Sequence, residues 1–146
     1  MYDTILIPTD GSKEARKAAE HGIELASAFD ATVHALYVIQ LPGAPRTVYI
    51  WDDEEEVREE YREYGEEVTQ EVADMASEAG VETETAIKTG SIHEGIVDYA
   101  DEIDADVIVM GTGYRGKVGG LLGTTAEKVV RTANVPVTTI RLNEVD

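Results

Sequence analysis

The chain is predicted to be an α/β protein built on a five-stranded parallel sheet with helices on both faces. Short apolar, β-branched runs alternate along it with segments whose apolar residues recur at helical spacing. Five strands and four helices in strict alternation call for right-handed βαβ crossovers, which give a parallel sheet covered on both sides. No internal repeat or low-complexity linker interrupts the pattern, so residues 1–146 are expected to form a single domain.

Thr4 to Pro8 is the first strand, ending at the turn signal Asp10-Gly11-Ser12, which also supplies helix-capping side chains. Ala15, Ala18, Ala19, Ile23 and Ala26 then mark the inner face of a helix whose outer face carries Lys13, Glu14, Arg16, Lys17 and Glu20. Ala31 to Val38 is the second strand. A loop with Pro42, Gly43 and Pro45 runs to Trp51; with Tyr49 and Trp51 it is placed either over a ligand crevice or in a subunit interface. From Asp52 to Ala79 a long amphipathic helix aligns Val57, Tyr61, Tyr64, Val68, Val72, Met75 and Ala79 on one stripe. Its acidic start suits the positive end of the helix, and Gly80 takes the C-terminal glycine position.

Val81 to Lys88 alternates as the third strand. Ser91 is expected to cap a short helix that buries Ile92, Ile96, Val97, Ala100 and Ile103. Asp106 to Met110 forms the fourth strand, and Thr124 to Ala133 the fourth helix, with Thr124-x-x-Glu127 as a capping box. Val135 to Leu142 closes the sheet, with Pro136 tolerable at the start of an edge strand.

Composition narrows the function classes. Twelve basic against 30 acidic residues give a net charge of −18, a field that opposes binding to nucleic acid or anionic membranes. With only five lysines, this acidity also fits adaptation to a high-salt cytoplasm, where dense carboxylates keep the surface hydrated. The absence of cysteine removes disulfides, thiolate metal sites and cysteine nucleophiles. No apolar run approaches the roughly 20 residues of a membrane span, and the N-terminus lacks a basic leader, so the expected location is cytoplasmic.

The most informative segment follows the fourth strand: Met110-Gly111-Thr112-Gly113-Tyr114-Arg115-Gly116-Lys117-Val118-Gly119-Gly120, then Leu121-Leu122-Gly123-Thr124-Thr125. A strand, a glycine-rich loop and a helix N-terminus together present backbone N–H groups and a helix dipole to an anion. Arg115 and Lys117 are the sole Lys or Arg side chains between Lys88 and Lys128. Gly111-x-Gly113-x-x-Gly116 matches a dinucleotide fingerprint as a bare pattern, but Gly119 and Gly120 would break the helix it should open. Gly111-x₄-Gly116-Lys117 approaches a P-loop, yet Val118 stands where Ser or Thr would hold Mg²⁺. In parallel α/β sheets ligands bind beyond the strands' C-terminal ends, where strand order reverses. In a 3-2-1-4-5 order, Asp10 and the glycine loop would share that crevice.

Three stretches in chain order resemble the universal stress protein family: Ile5-Leu6-Ile7-Pro8-Thr9-Asp10-Gly11-Ser12, Val107-Ile108-Val109-Met110-Gly111-Thr112, and Leu121 to Val130 followed by Val135-Pro136-Val137. The resemblance implies a 3-2-1-4-5 sheet, a homodimer through the last strand (Val135 to Leu142) and, in one branch, bound ATP. That branch carries G-x₂-G-x₉-G-[ST]. Here Tyr114 occupies the second glycine position and the loop is one residue short. The resemblance would place Asp10 on the ribose or metal–phosphate side, as the candidate for any Mg²⁺, with Pro8 and Thr9 beside it as further binding candidates. It gives Val38 backbone contact with adenine and Gly111, Gly123 and Thr124 contact with the phosphates, with Thr125 adding a hydroxyl; Met110 and Thr112 are further binding candidates beside them. Gly113 and Gly116 could rebuild a phosphate cradle by another path, and Arg115 joins them, with Lys117, on charge alone.

Catalysis has little support, because His21, His34 and His93 stand alone and no nucleophile elbow is present. Slow ATP hydrolysis or autophosphorylation is the most expected. The sequence therefore carries two readings: a dimeric module that binds ATP or AMP and signals to a protein partner, or a nucleotide-free interaction module that has lost the pocket. Tyr114 separates them, according to whether its ring fills the crevice.

Overall fold

The computed structural model describes residues 2–40, 51–112 and 124–142, with the side chains of the second helix described from Glu56. In chain order the elements are β1 (Thr4–Pro8), α1 (Lys13–Phe29), β2 (Thr32–Ile39), α2 (Trp51–Glu78), β3 (Thr83–Thr89), α3 (Ile92–Glu102), β4 (Val107–Gly111), α4 (Thr124–Thr132) and β5 (Val137–Ile140). All strand pairs are parallel and the order is β3-β2-β1-β4-β5, as the family resemblance implies.

Period-two alternation along the strands divides the core between the two faces of the sheet. Ile5, Ile7, Val33, Ala35, Val107 and Val109 meet Ala18, Ala19, Ile23 and Ala26 of α1 and Val72 and Ala76 of α2. Leu6, Leu36, Val38, Ile108 and Met110 meet Ile96, Tyr99 and Ala100 of α3 and Ala126 and Val129 of α4. Each fully buried Ile, Leu or Val contributes about 1.5–3 kcal/mol through removal of apolar surface from water. The central strands are joined at their start by Asp106, whose Oδ2 accepts from the backbone N–H groups of Asp3 (2.8 Å) and Thr4 (3.0 Å).

Helix ends follow local chemistry. Ser12 is the N-cap of α1, its Oγ accepting from the Ala15 N–H at 3.2 Å. Asp30 closes α1 in the left-handed conformation (φ 58°), a position usually given to glycine or asparagine. Gly80, at φ +74°, terminates α2 as expected, and the next N–H, of Val81, returns to the Ala76 carbonyl at 2.8 Å.

Several expectations are corrected. The stripe on α2 is buried only along its C-terminal half, at Val68, Val72 and the unforeseen Ala76. Tyr61 and Tyr64 are 40% and 41% exposed, and Ala79 is also exposed. Helical spacing continues past the point where the sheet ends, so periodicity alone overstates the contact. Glu14, expected on the outer face of α1, is 3% exposed. Ser91 occupies the N-cap of α3 but makes no side-chain cap bond; its Oγ lies 3.2 Å from His93 Nδ1. The Thr124-x-x-Glu127 capping box does not form as drawn, since Thr124 is already helical and Glu127 Oε2 pairs with Arg131 Nη2 at 3.2 Å. The last strand starts at Val137 rather than Val135, because Pro136 has no N–H; its carbonyl still accepts from Ile108 N–H at 3.0 Å.

Candidate functional site

β1 stops at Pro8 while its neighbours run on, β2 to Ile39 and β4 to Gly111. This leaves a notch at the C-terminal ends of the central strands, where the order changes direction. A crevice of about 270 Å³ occupies it, just under the roughly 300–1,000 Å³ common for small-ligand pockets. Pro8, Thr9, Asp10, Val38, Met110, Gly111, Thr112, Thr124 and Thr125 all line it. The structure thus gathers on one surface residues that are over a hundred positions apart in sequence. Gly113, Tyr114, Arg115, Gly116, Lys117 and Gly123, together with the Leu41 to Ile50 part of the earlier loop, lie outside the described residues.

Val38 acquires a specific role from the ladder. The Thr9 N–H donates to the Leu36 carbonyl (2.9 Å), whereas the Gly90 N–H donates to Ile39 on the opposite edge. Backbone direction alternates along a parallel strand, so the N–H and C=O of Val38 face the side that β1 has vacated. That is the position for recognising the edge of a flat heterocycle by main-chain hydrogen bonds. The walls beside it are apolar: Leu36, Ile92, Ile96, Met110 and Ala126.

Asp10 is held in the turn that leads into α1. Its Oδ1 accepts from the Ser12 N–H (3.0 Å), while Thr9 Oγ1 accepts from the Gly11 N–H (3.1 Å). Asp10 therefore braces the turn, and Ser12, not Asp10, caps the helix. Gly11 adopts φ +82°, a conformation that favours glycine.

Gly111 has a packing reason for being glycine. A Cβ there would stand 2.7 Å from the carbonyl carbon and oxygen of Glu14 and 2.9 Å from its Cβ. The first turn of α1 thus rests directly on the end of β4.

Sequence reasoning missed Ser12, Glu14, Ala15, Leu36, Tyr37, Ile92, Ile96 and Ala126 as lining residues. Some signals were available, since Leu36 is two residues before Val38 on the same strand face and Ile92 and Ile96 are one helical turn apart. Glu14 had none, because a charged residue among charged neighbours reads as solvated. Tyr37 also lines the crevice, its ring 5.6 Å from that of Tyr64 in an edge-on arrangement. Burial, then the neighbouring Tyr64 and Tyr61 phenols and the Asp10 carboxylate, raise its pKa above the ordinary tyrosine value, so it remains a hydroxyl donor. His93 does not line the crevice. Among the described residues, no group of three or more His, Cys, Asp and Glu side chains could hold a metal ion, and no helix is long and apolar enough to cross a membrane.

Residues 1–141 match the universal stress protein family. The chain belongs to that family. A universal stress protein of Methanocaldococcus jannaschii is 39% identical over 145 residues, covering 97% of this chain and 83% of the relative. Among solved structures, universal stress protein UspA from Lactobacillus plantarum superposes with a TM-score of 0.85 at 25% identity, covering 96% of this chain and 98% of the other. The universal stress protein from Archaeoglobus fulgidus in complex with dAMP gives a TM-score of 0.67 at 28% identity, over 95% and 98% of the two chains.

Proposed function

We propose that this universal stress protein binds an adenine nucleotide, ATP or AMP, in the crevice at the C-terminal ends of β1, β2 and β4. The observation that carries the reading is the notch left by β1. It sets the Val38 backbone beside apolar walls on one side and, on the other, the hydroxyl-bearing Thr112 after β4 with Thr124 and Thr125 at the start of α4. Adenine fits the first environment, and phosphate the second, where the positive end of α4 adds to the donors. The dAMP complex of the Archaeoglobus relative supports a purine nucleotide as the ligand class. Asp10 faces the ribose in this reading, and Gly113, Arg115, Gly116 and Gly123, which lie outside the described residues, are the phosphate candidates that the sequence alone offers.

Any Mg²⁺ would arrive on the phosphates. Asp10 is the protein carboxylate that would meet it, an arrangement common for an ion that keeps most of its water. The ion would offset phosphate charge next to two lining carboxylates, Asp10 and Glu14.

Signalling is through a homodimer. β5 is a four-residue edge strand, Val137–Ile140, with every residue half-buried, and an exposed edge is best covered by two-fold pairing with a second copy. Light scattering at micromolar concentration should give twice the 15.9 kDa chain mass; a monomer refutes the dimer.

Calorimetric titration with AMP and with ATP, each with and without Mg²⁺, tests the nucleotide reading. One saturable site per chain, abolished by Gly123→Val, is expected. Absence of binding by every nucleotide would leave the interaction module as the function.

A further inference from the structure

One turn of α2 stands against the crevice from behind. The Tyr64 hydroxyl donates to the Asp10 carbonyl at 2.8 Å. Tyr64 and Val68 fill the space above Gly11, so that a Cβ on Gly11 would collide with the Tyr64 hydroxyl and stand 2.8 Å from Val68 Cγ1. The adjacent Gly65 gives room to the ring of Tyr37, whose Cδ2 would lie 2.5 Å from a Cβ at that position. Tyr64 is nevertheless 41% exposed, so burial of its own surface does not account for its placement. Its polar end is fastened to the turn, and its ring edge to the crevice-lining Tyr37.

We propose that Tyr64 is a positioning residue for Asp10 and thereby sets how the site discriminates the sugar of its nucleotide. The turn from Thr9 to Ser12 is tied internally through Thr9 Oγ1 and Asp10 Oδ1. Those bonds close the turn on itself but do not fix it relative to the sheet. The Thr9 N–H to the Leu36 carbonyl ties the turn to the sheet, Ser12 and Arg16, whose Nη2 donates to the Gly11 carbonyl at 3.4 Å, tie it to α1, and the Tyr64 hydroxyl ties Asp10 to α2. Tyr64 is the tie at Asp10 itself, so its loss lets Asp10 shift within the turn, and a carboxylate selects between a ribose and a deoxyribose hydroxyl pattern only when its position is fixed. The inference rests on the nucleotide reading above.

Tyr64→Phe removes the one hydroxyl and keeps the ring against Tyr37. The variant should bind AMP about three- to tenfold more weakly, the worth of one net hydrogen bond, while dAMP affinity changes little. The AMP-to-dAMP preference therefore contracts and the thermal midpoint stays near that of the parent. Equal losses for AMP and dAMP would show a merely structural effect and overturn the proposal, as would unchanged affinities. If the parent binds neither nucleotide, the nucleotide reading fails separately, and the tether is read by ¹H–¹⁵N heteronuclear NOE at Gly11 and Ser12. Lower values confined to residues 9–12 in Tyr64→Phe sustain the positioning role; identical values overturn it.

Discussion

Replacing Gly111 with alanine tests whether α1 is seated on the end of β4 by direct backbone contact. A new Cβ would meet the Glu14 carbonyl carbon and oxygen at 2.7 Å and Glu14 Cβ at 2.9 Å. Comfortable non-bonded separations are about 3.5–4.0 Å, so the first turn of α1 must lift by about 1 Å. The obstacle is main chain, which has no alternative rotamer. We place the cost in the upper part of the overpacking range, about 2–3 kcal/mol. At an unfolding entropy of about 2 cal/mol/K per residue, each kcal/mol lowers the midpoint by about 3 °C, so the expected fall is about 6–9 °C. Gly22→Ala is the matched control. Its Cβ would approach Ile7 Cδ1 at 2.6 Å, the far end of a flexible side chain, and alanine gains about 1 kcal/mol of helix propensity over glycine. Differential scanning calorimetry of both variants decides the point. A Gly111→Ala midpoint within about 1 °C of the parent would refute the close-approach argument, as would a loss no larger than that of Gly22→Ala.

Three further outcomes are expected. Asp106→Ala removes the acceptor shared by the Asp3 and Thr4 N–H groups and should cost about 1–3 kcal/mol in urea unfolding, largely restored by Asp106→Asn; an unchanged midpoint would contradict it. Tyr37 and Tyr99 both have raised pKa values, chiefly from burial. The folded state holds these protons more tightly, so their contribution is full below the ordinary tyrosine value of 10.0 and is lost as pH rises through the higher folded values. Thermal stability should fall above that pH, and less steeply in Tyr37→Phe; identical slopes would refute the assignment. Finally, a net charge of −18 predicts a midpoint that climbs between low and multimolar KCl as like-charge repulsion is screened, whereas indifference to salt would remove high-salt adaptation as the reason for the acidity.

The sheet was legible because its signals are local. Apolar runs such as Ile5-Leu6-Ile7 and Val107-Ile108-Val109 are buried on both faces, and their number and alternation with helices restrict the topology severely. The crevice was legible through the C-terminal ends of strands, since Asp10 comes just after β1 and Gly111 ends β4. What remained hidden depends on pairwise contact at long range. Nothing about Glu14 in sequence says that its backbone abuts Gly111, and nothing about Tyr64 says that its hydroxyl reaches Asp10, 54 residues away. Tyr64 shares a stripe with Val68 and Val72 yet is exposed, because helical spacing reports a face, not how far the sheet beneath it extends. The same limit made Thr124 and Glu127 look like a reciprocal cap, when an i, i+4 pairing with Arg131 was equally consistent with their spacing.

The most direct test of nucleotide binding is to purify the protein in high KCl, denature it, and identify the released small molecules by mass spectrometry. An adenine nucleotide at close to one per chain is predicted. A preparation that releases none, and that then fails to take up added AMP or Mg-ATP, would contradict the account.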